Sequence, residues 1–168
     1  MLAQLATVKA RLAIPDIDTT SDALLTNAIK AVSARFDREC NRTLARTENA
    51  TCEFDAATTE IGVPVYPIET VTKWETKESE SEGWVEQPAP SYLIRSACVI
   101  SLHAPLSAIN SAPSTGRVTY TGGYLLPGTV PPPPVPPATP LPADIEQAAV
   151  EQVAFWFQKR TTARTFLH

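Results

Sequence analysis

The amino-terminal part of the chain places apolar residues at three- and four-residue spacing, which predicts two amphipathic helices. The first covers about residues 3–13 and is stopped by Pro15. The second begins at a cap provided by Thr20 or Ser21 and runs to about Asn41. Its apolar stripe consists of Leu25, Ala28, Ile29, Val32, Phe36 and Cys40. The short loop between the helices suggests an antiparallel helical hairpin within residues 1–46.

From about residue 47 to residue 125 the spacing changes from helical to short runs rich in Val, Ile, Thr, Tyr and Trp. Such runs predict short antiparallel strands. The polar stretch ESESEG, which ends at Gly83, predicts the turn of a β-hairpin. Pro64 and Pro67 predict edge or strand-entry positions, because proline cannot donate a hydrogen bond to a β-ladder.

A third helix is predicted over residues 142–160, with Pro142 in the first turn and Lys159 and Arg160 at the carboxyl end. Residues 161–168 are predicted to form a tail. Residues 126–141 are rich in proline, and both flanks belong to one motif, so they predict an enlarged loop rather than a domain boundary. The expected fold is α+β in a single domain, residues 1–168. It combines a small helical bundle, made of the three helices, with an inserted antiparallel β region and the Pro-rich loop.

The composition narrows the class of protein. A net charge of −4 argues against a dedicated nucleic-acid binder, which would normally carry a basic excess, but it is compatible with a protein that DNA passes. The apolar runs are too short to predict a signal peptide or a membrane span, so we expect a cytoplasmic place of synthesis and no membrane partner. Cys40, Cys52 and Cys98 are expected to be buried single thiols.

Patterns for metal binding are weak. Asp16, Asp18 and Thr20 alternate like the first ligands of a calcium loop, but Ser21 and Asn27 stand where the glycine and the bidentate glutamate belong. A helix-capping loop is the better interpretation. The histidines, His103 and His168, lack a metal-ligand spacing, so no zinc site, other metal or cofactor is expected.

Patterns for catalysis are equally weak. A Cys98–His103 pair could be imagined as the nucleophile and base of a small hydrolase. Residues five apart on a strand point to opposite faces, which makes that geometry unfavourable. No catalytic residue is therefore assigned. The acidic run Glu78, Glu80, Glu82 and Glu86 is interpreted as a solvated turn, with an electrostatic docking surface as the alternative.

Three motifs follow one another along the chain: LATVKARLAI with TTSDALLTNAIKAVSARFDRECNR, then VPVYPIETVTKW, then GRVTYTGGY with LPADIEQAAVEQVAFWFQKR. Their order resembles the head–tail connector (adaptor, or head-completion) proteins of long-tailed bacteriophages. The first motif is similar to the family's short helix, acidic loop and long helix ending near a residue such as Arg42. VPVYPIETVTKW resembles its strand entry, and GRVTYTGGY with LPADIEQAAVEQVAFWFQKR resembles its last strand and helix. Gly122 replaces a common alanine, and Lys159 a common asparagine.

The resemblance implies a structural protein of the virion neck, made in the host cytoplasm. Such proteins form a ring, typically of twelve copies, beneath the portal protein, extend the DNA channel without sequence-specific binding and dock a stopper or tail protein. The resemblance also implies portal binding by the carboxyl-terminal segment, here by Lys159, Arg160, Arg164 and Phe166. The Pro-rich loop could contact a neighbouring subunit through Val130, Pro132, Pro134, Val135 and Pro137.

Two alternatives stay open beside the hydrolase. One is a tail-completion or stopper protein, which belongs to the same structural class. The other is an interaction module whose polyproline segment docks on an aromatic-lined groove of another protein.

Overall fold

The computed structural model describes residues 1–109, 114–129 and 138–165. Among these residues the chain divides into two compact units. The helical unit contains residues 1–41, 125–129 and 139–165, and the β unit contains residues 42–109, 114–124 and 138. No helix in the described ranges is long and apolar enough to cross a membrane.

The helical unit contains α1 (Leu5–Arg11), α2 (Asp22–Glu39) and α3 (Ala143–Thr165). Each helix contacts the other two. Of the predicted stripe of α2, Leu25, Ile29 and Val32 are buried. Val8 of α1 and Ala149, Val150 and Val153 of α3 are buried as well. Ser21 occupies the predicted cap position of α2, but its side chain makes no capping hydrogen bond.

Two helix boundaries were predicted wrongly. α1 is shorter than residues 3–13, because Ala13 adopts a positive φ of 56° and breaks the helical path before Pro15. α3 continues to Thr165 instead of ending at Arg160. The sequence from Thr161 to Thr165 holds neither glycine nor proline, so nothing in it stops the helix. Residues 161–165 are therefore helix rather than tail.

The β unit contains two antiparallel sheets. The four-stranded sheet has the order β1-β7-β3-β4, and the three-stranded sheet has the order β2-β6-β5. Their strands are β1 (Thr47–Asp55), β2 (Glu60–Gly62), β3 (Ile68–Lys77), β4 (Val85–Gln87), β5 (Tyr92–Arg95), β6 (Val99–Leu102) and β7 (Thr115–Gly122). β3 and β4 pair as the predicted hairpin, and Pro67 directly precedes β3 as a strand-entry residue.

An apolar cluster fills the β unit. It is built from alternate residues of both sheets, among them Trp74, Val118, Tyr120, Ile61 and Ile100. The buried Tyr120 hydroxyl accepts a hydrogen bond from the Val65 N–H at 3.1 Å, so this polar group does not remain unpaired inside the core. Burial raises the pKa of Tyr120 above its ordinary value.

The expected α+β class, with three helices and antiparallel sheets, is confirmed. The single domain of residues 1–168 stays a prediction. All three cysteines are free, as expected, but they are not buried: Cys40 is exposed at the end of α2, and Cys52 and Cys98 are half-buried. Val130, Pro132, Pro134, Val135 and Pro137 lie outside the described residues.

Candidate interaction surfaces

The loop between α1 and α2, which resembles the start of a calcium loop, is closed by a lysine. Lys9 is 3% exposed, and its ammonium donates to the carbonyl oxygens of Asp16 at 2.9 Å and Asp18 at 2.8 Å. The same nitrogen forms an ion pair with Asp22 Oδ1 at 3.0 Å. Asp18 Oδ1 also accepts the Thr20 N–H at 3.0 Å, which fixes the entry to α2. A structural loop is therefore the favoured interpretation, because the loop oxygens already bind the Lys9 ammonium.

The polar face of the four-stranded sheet carries a network of paired charges. Glu75 is 5% exposed and accepts hydrogen bonds from Lys73 Nζ at 2.8 Å and from Arg117 Nε at 2.8 Å. The Arg117 guanidinium also lies 4.1 Å from the centre of the Trp84 ring, and Lys77 Nζ lies 5.0 Å from it. Lys73 and Arg117 thus neutralise the Glu75 carboxylate, and Arg117 and Lys77 contact the Trp84 ring. These contacts stabilise the polar face without an excess of positive charge.

The same network predicts a pH effect on stability. The hydrogen bond from Lys73, and then that from Arg117, lowers the pKa of Glu75. A lowered folded-state pKa contributes stability above the unfolded pKa, and this contribution is lost as pH falls through the folded pKa. We expect Glu75→Gln to unfold at lower urea than the wild type at pH 7, with the difference shrinking below about pH 4. The check is the urea midpoint between pH 7 and pH 3.

Glu82→Gln is the control for this prediction, because it removes one negative charge from the exposed β3–β4 turn. A difference between the wild type and Glu75→Gln that stays constant from pH 7 to pH 3 would contradict it.

Arg42 begins the β unit with an aromatic contact. Its guanidinium carbon lies 3.4 Å from the centre of the Tyr66 ring and 5.2 Å from that of Tyr124, and Arg42 also donates to the Tyr66 carbonyl. Nearby backbones approach closely: Arg46 N–H donates to the Tyr124 carbonyl, and the Tyr124 N–H to the Leu44 carbonyl, both at 2.8 Å. Sequence patterns did not reveal this cluster, because its residues lie in three separate segments.

Gly122 and Gly123 make that close approach feasible. A Cβ on Gly122 would lie 2.6 Å from the Val65 carbonyl oxygen and 2.9 Å from that of Pro67. A Cβ on Gly123 would lie 2.5 Å from the Ala45 carbonyl oxygen, and Gly123 also has a φ of +97°. The TGGY segment is therefore a packing motif at the end of β7.

The imagined Cys98–His103 pair is not brought together. The two residues flank opposite ends of the four-residue strand β6, so five strand steps of about 3.3 Å place their Cα atoms about 16 Å apart. The Cys98 N–H donates to the Arg95 carbonyl, and the His103 N–H donates to the Ser91 carbonyl, so each is tied to its own turn. Among the described residues, no group of three His, Cys, Asp or Glu side chains is arranged to bind a metal.

The acidic run lies in and beside the β3–β4 turn. Glu78 and Glu80 line an open cleft of about 660 Å³ together with Glu53 and Asp55 of β1. Lys77 also lines the cleft and pairs with Glu80 at 2.8 Å. Glu82 is exposed in the turn, and Glu86, on β4, lies 3.6 Å from Lys73. The run is thus partly a solvated turn and partly an acidic surface.

The carboxyl-terminal half of α3 presents a basic and aromatic surface. Phe155 is 50% exposed, and Lys159 Nζ lies 4.7 Å from the centre of its ring. Arg160 follows Lys159 in the helix and is exposed. Arg164 belongs to the helical extension, and Phe166 lies outside the described residues. The sequence pointed to Lys159 and Arg160 but missed Phe155.

These features define a small α+β protein marked by charged and aromatic surfaces. The chain matches the profile of the head completion protein family over residues 4–167. It therefore belongs to the head completion protein family, and its class is that of a head–tail connector protein, as the resemblance implied.

The fold has a counterpart among solved structures. A chain from the structure described as the neck of an empty GTA particle, computed with C6 symmetry, superposes with a TM-score of 0.61. The two chains are 16% identical, and the match covers 92% of this chain and 76% of the other. At this identity the likeness shows a shared fold. No curated protein matches the chain.

Proposed function

We propose that this chain is a connector subunit of the virion neck, where copies form a ring beneath the portal protein. The observation that carries the proposal is the match of residues 4–167 to the head completion protein family. A chain of a symmetric particle neck shares the fold, which supports a ring of this protein. We expect the ring to contain twelve copies. The ring extends the DNA channel and docks a stopper or tail protein, and its function lies in these interfaces rather than in catalysis.

The charges support a channel that DNA passes without being held. The net charge is −4, and the cations Lys73, Lys77 and Arg117 on the polar face of the four-stranded sheet are each paired with a carboxylate. Tight non-specific binding to DNA would require several unpaired cations facing its phosphates. We also propose that the three helices form the small bundle expected for this family and that the Pro-rich residues 126–141 are an enlarged loop. Its two ends support this arrangement, because Leu125 exchanges backbone hydrogen bonds with Thr139 and Leu141.

Electron microscopy of the protein mixed with the portal of the same virus tests this function. We expect a stacked ring of matching symmetry on one face of the portal. Binding to isolated tails or to the stopper protein, and not to the portal, would identify the protein as a tail-completion or stopper protein instead. The absence of any bound ring at saturating concentration would contradict the proposal.

The end of α3 is the proposed portal-binding surface, with Lys159, Arg160, Arg164 and Phe166 as its anchors. The exposed Phe155 ring, which lies against Lys159, supports it, because aromatic and arginine side chains are typical of binding hot spots. We expect Lys159→Glu with Arg160→Glu to weaken portal binding by about tenfold or more, since rim charges reversed together oppose a complementary surface.

The matched control is Lys30→Glu with Arg38→Glu, which makes the same charge change on exposed positions of α2. The measurement is co-sedimentation with portal rings over a range of protein concentrations. Equal losses in the two double variants would show that net charge, and not the end of α3, controls binding.

A further inference from the structure

β5 is an edge strand whose outer side offers unpaired backbone groups. β6 uses alternate residues for its two neighbours: the His103 N–H donates to Ser91 on the β5 side at 3.1 Å, and the Leu102 N–H donates to Thr59 on the β2 side at 2.7 Å. In an antiparallel pair this alternation turns the N–H and C=O groups of Tyr92 and Ile94 away from β6. Among the described residues, these groups face an open edge.

The side chains of β5 are unusually apolar for an open edge. Leu93 is 55% exposed and Ile94 is 41% exposed, and adjacent strand residues point to opposite faces. Together with Val85 they are the large exposed hydrophobic side chains of the described β unit. Natural edge strands are usually blunted by charges, prolines or bulges, because an open edge pairs with other chains. β5 carries only Arg95, so its apolar edge favours a strand that another chain covers.

β1 is the complementary open edge in the same unit. The Ala56 N–H donates to the Ser114 carbonyl at 3.0 Å, so the even-numbered residues of β1 bond to β7. Thr51 and Glu53 therefore turn their backbone groups outward. The Glu53 side chain is exposed and has no ion-pair partner among the described residues.

We propose that β5 of one copy pairs in parallel with β1 of the next copy; this inference rests on the ring proposed above. When Ile94 lies opposite Cys52, Arg95 lies opposite Glu53, and the two opposite charges share the polar face of the joined sheet. Ile94 then extends the apolar face that carries Cys52 and Phe54. Antiparallel pairing would instead place Ile94 on the polar face beside Glu53.

The pairing also has the symmetry that a ring requires. It joins two different edges, so the contact is heterologous, and the same contact can repeat from one copy to the next until the ring closes. Pairing of β5 with β5 would bury one edge twice and stop at a dimer.

A disulfide tests the geometry directly. The variant Ile94→Cys, in a background with Cys40→Ser and Cys98→Ser, retains Cys52 as its other thiol. Residues that lie opposite each other on neighbouring strands are within disulfide reach. After oxidation of rings assembled on the portal, we expect a ladder of covalent oligomers on a non-reducing gel. Adding Cys52→Ser should abolish the ladder.

Charge reversal tests the pairing by a second route. Arg95 is exposed, and its ion pair with Glu60 within the chain is long, at 3.7 Å, so Arg95→Glu should fold normally. We expect Arg95→Glu and Glu53→Arg each to reduce complete rings at least tenfold, and the double variant to restore them. Circular dichroism of each variant checks the fold.

The outcomes separate the two proposals. Complete rings formed by Arg95→Glu, with no ladder from Ile94→Cys, would overturn the β5–β1 pairing and leave the connector function intact. Failure of the wild-type protein to form any ring on the portal would overturn the proposed function, and with it the pairing.

Discussion

Replacing Gly123 with alanine is expected to lower the free energy of unfolding by about 3 kcal/mol, since it combines backbone strain with overpacking. The φ of +97° is one that L side chains rarely adopt. The added Cβ would also lie 2.5 Å from the Ala45 carbonyl oxygen and 2.9 Å from the Arg46 Cα. Both neighbours are backbone atoms, so the collision is not relieved by a change of rotamer. Urea unfolding followed by tryptophan fluorescence measures the loss.

Three other glycines of the β unit separate the two causes. Gly62 has open space around a Cβ and no positive φ, so Gly62→Ala is expected to change the unfolding free energy by less than about 0.5 kcal/mol. Gly83 has a φ of +73° but open space, so its alanine variant isolates the strain, which costs about 1 kcal/mol. Gly122 has the backbone collision without the positive φ.

The loss of unfolding free energy on replacement by alanine is expected to increase in the order Gly62, Gly83, Gly122, Gly123. Alanine at 122 is of particular interest, because alanine is common at this position in the family that the sequence resembles. The short distances to the Val65 and Pro67 carbonyl oxygens explain why this chain uses glycine there. Equal losses for Gly83→Ala and Gly123→Ala would show that the approach of the Ala45 backbone does not matter.

The sequence predicted the elements better than their arrangement. Helical spacing identified the three helices, because the periodicity that places Val32 on the apolar face of α2 and Val153 on the apolar face of α3 also buries both side chains. The ESESEG turn identified the β3–β4 hairpin, because a hairpin joins strands that are neighbours in the sequence. The position of β7 between β1 and β3 was not predictable, since it depends on pairs such as Glu75 with Arg117 that lie far apart in the chain.

The same limit applies to the candidate surfaces: features within one segment could be recognised, and clusters built from distant segments could not. Lys159 and Arg160 could be named as candidates from the sequence, because the resemblance points to the carboxyl-terminal segment, although α3 continues past them to Thr165. The Arg42 contact with Tyr66 and Tyr124 could not, since three distant segments supply it. The burial of Lys9 could not be recognised either, because a lysine in a short amphipathic helix suggests a solvated side chain, yet this one is buried.

Replacing Lys9 with methionine is expected to lower the free energy of unfolding by about 3 kcal/mol, because it leaves a carboxylate and two carbonyl groups without their cation. Methionine keeps most of the side-chain volume, so lost packing is a minor part of the effect. The carbonyl oxygens of Asp16 and Asp18 lose their donor, and Asp22 loses its ion-pair partner. The α1–α2 loop should therefore loosen together with the start of α2.

Lys30→Met is the matched control, because Lys30 is an exposed lysine on α2 of the same unit. Its unfolding free energy is expected to stay within about 0.5 kcal/mol of the wild type. A double-mutant cycle of Lys9→Met with Asp22→Asn then measures the coupling between the two charges. Equal stability of Lys9→Met and Lys30→Met would show that the buried ammonium does not organise the loop.

Calcium provides the last comparison, because the spacing of Asp16, Asp18 and Thr20 resembles the start of a calcium loop. In the wild-type protein the Lys9 ammonium already binds the carbonyl oxygens of Asp16 and Asp18. A divalent cation would have to displace a tethered positive charge from a site that supplies only part of a calcium ligand set. Millimolar calcium is therefore expected to leave the wild-type unfolding midpoint unchanged. A clear increase in that midpoint, abolished by Asp22→Asn, would show instead that the loop binds calcium despite the lysine.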